Sequence, residues 1–224
     1  MACGAPPDPV HAARALEDDR EYLSFTAGPG VRCVAVRDPE ASMAALCASV
    51  SVGYTADPPS RAGLAHLLEH AVHLGSAAFP NETEYKDYLA RHAGSSNAST
   101  GTEHTQFHLT CAAGGLNGAA ARMGAMLAAP LLRLEAVGRE VHAVHGEWSR
   151  NTASDARRAS QLRRTCCAAP YCKFSTGNLE TLWGEQWAEE EHVATVEALG
   201  ALHAAHYHAG NVCVAAVSPA PLAE

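Results

Sequence analysis

Two histidines one helical turn apart, with a glutamate beside the second, carry the clearest chemistry in this chain. The segment reads Gly63-Leu64-Ala65-His66-Leu67-Leu68-Glu69-His70. A spacing of four puts His66 and His70 on one helix face, where both imidazoles reach a single cation. Glu69, three residues from His66, lies beside that face, where it can touch a water held by the metal. The pattern is HxxEH, the reverse of HExxH. A tight zinc site with one open position needs a third protein ligand. Residues 139–148 read Arg-Glu-Val-His-Ala-Val-His-Gly-Glu-Trp, and Glu140 and Glu147 stand two turns apart on one stripe beside Val141 and Val144. One of the two carboxylates can ligate while the other orients a ligating histidine.

Other histidines have plainer readings. His73 follows His70 by three, but three nearby helix positions rarely converge on one ion, so a surface or core role is simpler. His142 and His145 flank the Glu140/Glu147 stripe and read as solvated or hydrogen-bonded. His203, His206 and His208 read as a hydrated helix end.

The elements that must position these groups follow from local pattern. Tyr22–Ala27 and Val31–Arg37 read as strands around Gly28-Pro29-Gly30, and Met43–Gly53 as a third. The metal-site helix should start near Arg61 and stop at Gly75, after the Asp57-Pro58-Pro59-Ser60 loop. A second helix opens at Asn81-Glu82-Thr83-Glu84, capped by Asn81 or Thr83, and runs toward Gly94. Ser95–Thr102 is small and polar, and Gln106–Ala112 alternates as a strand does. Helices are expected over Leu116–Leu127, over Leu134–Asn151, from Ser154 onward and over Val193–Tyr207, with a last strand at Val212–Val217. Partly segregated strands and helices give an α+β class.

The 224 residues suit one large domain or two small ones, with one slightly favoured. With 47% hydrophobic and 18% charged residues, the chain is globular in composition. A net charge of −8 without a basic block argues against nucleic acid. The densest cations, Arg157, Arg158, Arg163 and Arg164, read as a solvated helix face. No apolar run is long enough for a membrane span, and the first twenty residues fit neither a signal nor a transit pattern, so a cytosolic address is expected, with an organelle left open. Among eight cysteines, Cys33, Cys47, Cys111 and Cys213 sit in apolar strand-like runs and read as small core residues. Cys166, Cys167 and Cys172 lack CxxC spacing, which makes a thiol metal site the weakest reading.

Several strings in order strengthen the metal site. They include Ala62-Gly63-Leu64 before the motif, Phe79-Pro80-Asn81-Glu82-Thr83-Glu84-Tyr85 after it, His92-Ala93-Gly94-Ser95-Ser96-Asn97-Ala98, Thr102-Glu103-His104-Thr105, Arg139–Val144 with Gly146-Glu147, and Thr176-Gly177-Asn178. Together they resemble the pitrilysin (M16) family of inverted zinc metallopeptidases, in its insulin-degrading enzyme and nardilysin branch. The resemblance covers about Arg20 to Val217. It implies a mixed or antiparallel sheet packed with helices on one side, the metallohydrolase unit shared with LuxS and the mitochondrial processing peptidases. Residues 1–18 are then a loose lead-in and 19–224 an N-terminal catalytic αβ domain, the first unit of a longer architecture.

The resemblance also implies roles. His66, His70 and Glu147 would ligate one zinc ion, Glu69 would be the general base, and Glu140 a supporting acidic residue. Asn97, with Ser96 and Ala98, would lie on an edge strand that pairs with extended peptide substrates. Relatives carry four such units forming a chamber, whose second half supplies Arg and Tyr groups. This chain matches only the first, so a second-half domain, a partner subunit or a homo-oligomer is expected, along with a sticky face. His73 stands where relatives carry a bulky apolar residue, and Cys166-Cys167 replace less reactive ones. The expected activity is metalloendopeptidase cleavage of peptides or small unfolded proteins. The alternatives are a non-catalytic subunit of this fold and a truncated zinc-binding unit that needs a partner half.

Overall fold

The structure, a computed structural model, describes residues 17–184 and 189–222. The expected lead-in lies outside the described residues except for Glu17 and Asp18.

Six strands form one sheet in the order β1-β2-β6-β3-β5-β4. They are β1 (Glu21–Ala27), β2 (Val31–Arg37), β3 (Ala44–Val50), β4 (Ser95–Thr100), β5 (Thr105–Cys111) and β6 (Val212–Ser218). All neighbours are antiparallel except β2 and β6, which run parallel. The sheet is therefore mixed, one of the two arrangements, mixed or antiparallel, that the family resemblance implied.

Burial on β3 and β5 alternates strictly. Ala44, Leu46, Ala48 and Val50 are buried, as are Thr105, Phe107, Leu109 and Cys111, while Gln106, His108 and Thr110 are exposed. Successive side chains point to opposite faces, so one face lies under helices and the other meets solvent. The covered face packs on α1 (Leu64–Ala71), α2 (Glu84–Arg91), α3 (Leu116–Ala128), α4 (Leu134–Thr152) and α7 (Glu189–His206). The core centres on Phe107, Leu64, Leu67, Leu68, Met123, Val137, Val141, Val144 and Leu199. Two further helices, α5 (Asp155–Thr165) and α6 (Leu179–Leu182), flank α4.

Differences from the sequence reading have local causes. The regular part of the metal-site helix is shorter than expected, Leu64–Ala71, with tighter turns continuing to Leu74. Ser95–Thr100, too polar to show a strand pattern, is the edge strand β4, which needs an apolar residue only where it meets Phe107. The four-residue α6, outside the expected elements, follows a capping box at Asn178. Of the four cysteines read as core, only Cys111 is fully buried; Cys33, Cys47 and Cys213 are half-buried.

Candidate active site

α1 is fixed at its N-terminus by a buried carboxylate. Asp57 accepts hydrogen bonds from the backbone N–H groups of Gly63 and Ala65, both at 2.7 Å, which satisfies orphan donors of the first turn. Burial pushes the Asp57 carboxyl up to about 6, against the opposing pull of the Ala65 and Gly63 amides and of Lys173. The Lys173 ammonium donates to the carbonyls of Thr55 (2.6 Å) and Asp57 (2.5 Å), tying the 171–176 segment to the same corner. Gly63 has φ +93°, and a Cβ there would meet the Cα of Gly177 at 2.3 Å. This close approach seats residues 176–177 against the start of α1.

The apolar face of α1 enters the core through Leu64, Leu67, Leu68 and Ala71, so His66 and His70 turn to the opposite, half-buried side. Their rings stand edge-to-face with centroids 4.9 Å apart. His66 Nδ1 donates to the Thr176 carbonyl at 2.7 Å, and His70 Nδ1 donates to Glu140 Oε2 at 3.0 Å. Both Nδ1 positions are thereby committed, and both Nε2 atoms are left as electron-pair donors. Across from them on α4, Glu147 lies 3.5 Å from His66 Nε2 and 3.8 Å from His70 Nε2.

Among the described residues, His66, His70 and Glu147 are the one group of three potential ligand side chains that converge, with donor atoms within 4.8 Å of one another. The separations of 3.5 and 3.8 Å approach the ~3.3 Å edge of a tetrahedron whose corners sit ~2.0–2.1 Å from its centre. The donor set, two imidazoles and a carboxylate, suits zinc. Glu140 does not join it. Burial disfavours a charge on His70, but the hydrogen bond it donates to Glu140 and the charge of Glu147 outweigh this and raise its pKa. The His70 hydrogen bond holds the Glu140 carboxyl below its usual range.

Glu69 is buried, at 7% exposure, and its Oε2 accepts a short hydrogen bond from the Thr100 hydroxyl on β4. The cavity over these groups has a volume of about 620 Å³, and its wall includes Ser96, Asn97 and Ala98 of the edge strand. The structure thus gathers His66, His70, Glu69, Glu140, Glu147 and the β4 residues around one space.

Thr100 and Thr176 were missed as site residues. Thr100 shares a strand face with Ala98, a parity visible only once β4 is known to be a strand. Thr176 acts through its backbone carbonyl, which no side-chain pattern marks.

The remaining histidines and thiols behave as packing or capping groups. His73 is largely buried between Tyr85 and Phe107, with Nδ1 donating to the Glu69 carbonyl at 2.9 Å, and burial lowers its pKa. His145 Nδ1 accepts from the Leu179 amide at 3.4 Å. His203 is not simply hydrated, because its Nε2 donates to the Leu127 carbonyl at 2.8 Å. Cys166 and Cys167 are exposed and donate back to helix carbonyls.

Comparison with known proteins matches this architecture. The family model described as "Insulinase (Peptidase family M16)" covers residues 32–169. The chain belongs to the insulinase family, peptidase family M16. It is 34% identical over 206 residues to the human (Homo sapiens) insulin-degrading enzyme, a match covering 91% of this chain and 20% of that protein. It is 41% identical over 175 residues to a nardilysin-like protein of Arabidopsis thaliana, covering 77% of this chain and 17% of that one. The crystal structure of pitrilysin superposes with a TM-score of 0.88 at 31% identity, over 97% of this chain and 23% of that one. This insulinase-family chain therefore spans about a fifth of the length of the curated relatives it matches. No helix among its described residues is long and apolar enough to cross a membrane.

Proposed function

We propose that residues 19–224 are the catalytic αβ unit of a zinc-dependent metalloendopeptidase acting on peptides or small unfolded proteins. The observation that carries this reading is the convergence of His66, His70 and Glu147 beside a buried glutamate, Glu69. Zinc held there supplies a water acidified toward neutrality and a Lewis acid for the scissile carbonyl. Glu69 takes the proton from the attacking water and delivers it to the leaving amine, so cleavage proceeds without a covalent intermediate. Glu140 fixes the His70 tautomer, and the Thr176 carbonyl fixes that of His66. Among the described residues the outer edge of β4 pairs with no other strand, so an extended peptide can add there by main-chain hydrogen bonds along Ser96, Asn97 and Ala98.

A second reading is favoured by the short span of the match, about a fifth of the relatives. In it the unit binds zinc but needs a second-half domain, a partner subunit or another copy to hold substrate. Cleavage of a quenched mid-length peptide by the zinc-loaded chain, beside its Glu69→Gln variant, tests both. Loss of turnover by at least ~100-fold in the variant, with zinc content unchanged, supports a self-sufficient peptidase. Normal turnover in Glu69→Gln removes Glu69 as the base. No cleavage by the unaltered chain until a second-half domain is added, with Glu69→Gln inactive throughout, supports the dependent unit.

A further inference from the structure

The zinc cleft has a cationic end as well as an acidic one. Near the ligands its wall carries Glu69, Glu140 and Glu147. Toward α5 the wall carries Arg150, Arg157 and Arg164. Arg150 is three residues past Glu147, so it lies about one turn along α4 from a zinc ligand. Arg157 and Arg164 are seven apart and share one face of α5. A second cavity of about 420 Å³ opens beside the first and shares Arg157, Arg164, Ser175 and Thr176 with it. Trp148, Leu162 and Phe174 give that space an apolar lining. Thr176 in this shared wall is the residue whose carbonyl holds His66.

These cations differ in how they are spent. Arg164 donates to the Ser175 hydroxyl and lies over the Tyr54 ring, 4.8 Å from its centroid. Arg158 pairs with Asp155 at 3.4 Å. Among the described residues, the guanidinium groups of Arg150 and Arg157 have neither an ion pair nor a hydrogen bond, although the chain carries a net charge of −8. Unpaired guanidinium groups on the rim of a cleft, beside an apolar floor, are suited to planar recognition of a carboxylate.

We propose that Arg157 and Arg150 form a carboxylate subsite at the α4–α5 rim of the zinc cleft, which makes this unit prefer peptides carrying Asp or Glu. The proposal rests on the peptidase reading for its ligand, a peptide, but not on turnover. The acidic surroundings of the zinc ligands repel a substrate carboxylate and direct it to this end. The apolar lining around Trp148 and Phe174 accepts the neighbouring side chain.

The test is fluorescence anisotropy of labelled peptides on the zinc-loaded Glu69→Gln chain, in which nothing needs to be cleaved. Three pairs are compared: an acidic peptide with its Gln/Asn counterpart, the same pair at high salt, and a neutral peptide with a free or an amidated C-terminus. The acidic peptide is expected to bind about fivefold more tightly than its counterpart at low ionic strength, the scale of exposed ion pairs, and to lose that advantage in high salt. Arg150→Gln with Arg157→Gln should bring the ratio close to one. Arg163→Gln removes the same charge from the same helix, outside both cavities, and should leave the ratio unchanged.

A preference that follows the free C-terminus instead of the side chains assigns the same subsite to the terminal carboxylate. Equal binding of acidic and neutral peptides overturns the proposal, as does no binding of either, a ratio that survives the double variant, or an equal loss in Arg163→Gln. If the ratio holds while the unaltered chain cleaves nothing with or without a second-half domain, the subsite stands and the peptidase reading falls.

Discussion

The two sides of the sheet are built to different standards. On β3 and β5, every second residue is buried in the core that the helices cover. On β1 and β2, no residue is fully buried, and Phe25 and Val34 remain 38% and 37% exposed. The hairpin has equally complete strand pairing, from Glu21↔Arg37 to Ala27↔Val31, so backbone hydrogen bonding is not what differs. The difference is side-chain burial, which dominates the favourable side of folding. The side that carries the His66, His70 and Glu147 group is therefore the better packed one, as a site that must hold several side chains to a fraction of an ångström requires. The hairpin contributes little to the core, and it offers apolar residues to a neighbouring surface.

The largest expected effect tests this contrast directly. Phe107→Ala should cost about 3–5 kcal/mol, because it empties a fully buried site under α1. Phe25→Ala, at the exposed hairpin, should cost less than about 1 kcal/mol. Urea unfolding of the two variants checks the comparison, and similar losses would mean that the hairpin is packed by something beyond this unit.

A second prediction concerns the buried Asp57 at the start of α1. Its carboxyl sits near 3.8 in an unfolded chain and at about 6 in the fold. Between those values the folded state holds a proton that the unfolded state has released. The contribution to stability is thus full below about pH 4, falls as pH rises to about 6, and stays at its lower level above. At ~1.4 kcal/mol per unit, about two units give a loss of up to ~3 kcal/mol. The metal-free chain, unfolded in urea beside Asp57→Asn across this range, reads the difference. A flat difference would mean that the Gly63 and Ala65 amides hold the carboxylate ionised.

Within the site, the contrast is between a ligand and its support. Glu147→Ala removes one of three converging donors and should abolish zinc retention through dialysis. Glu140→Gln keeps an acceptor for His70 but loses the charge, and should weaken zinc affinity by about 10–100-fold. Competition against a zinc chelator measures both. Equal losses would make Glu140 a ligand, and no loss in Glu147→Ala would remove Glu147 from the set.

What the sequence disclosed follows from the range of each interaction. His66, Glu69 and His70 were legible because their geometry is set by one helix, and Glu140 and Glu147 because theirs is set by another. The meeting of the two helices was legible only through the family resemblance, since no local pattern says which helix faces which. The strict alternation on β5 was visible because that strand has one wet and one dry face. β4 was not, because an edge strand of Ser, Asn, Ala and Thr has almost no apolar signal. The cationic residues of α5 could be counted but not placed, since whether a charge faces bulk water or a cleft depends on how the helix docks.

Thr100 is where that limit bears on catalysis, and it gives the smallest expected effect. Its hydroxyl donates to Glu69 Oε2 across 31 positions of sequence, and it belongs to the strand that had no sequence signal. The bond holds one carboxylate oxygen and leaves the other free for the water of the proposed mechanism. Thr100→Val keeps the shape and removes the donor, so Glu69 gains rotational freedom without leaving its site. The expected outcome is a fall in kcat of about tenfold, the scale of one hydrogen bond to a charged group, with zinc content and KM little changed. Thr100→Ser should recover most of the rate, because the donor is restored. If valine and serine behave alike, the hydroxyl packs against Glu69 without orienting it, and the base is held by the burial of α1 alone.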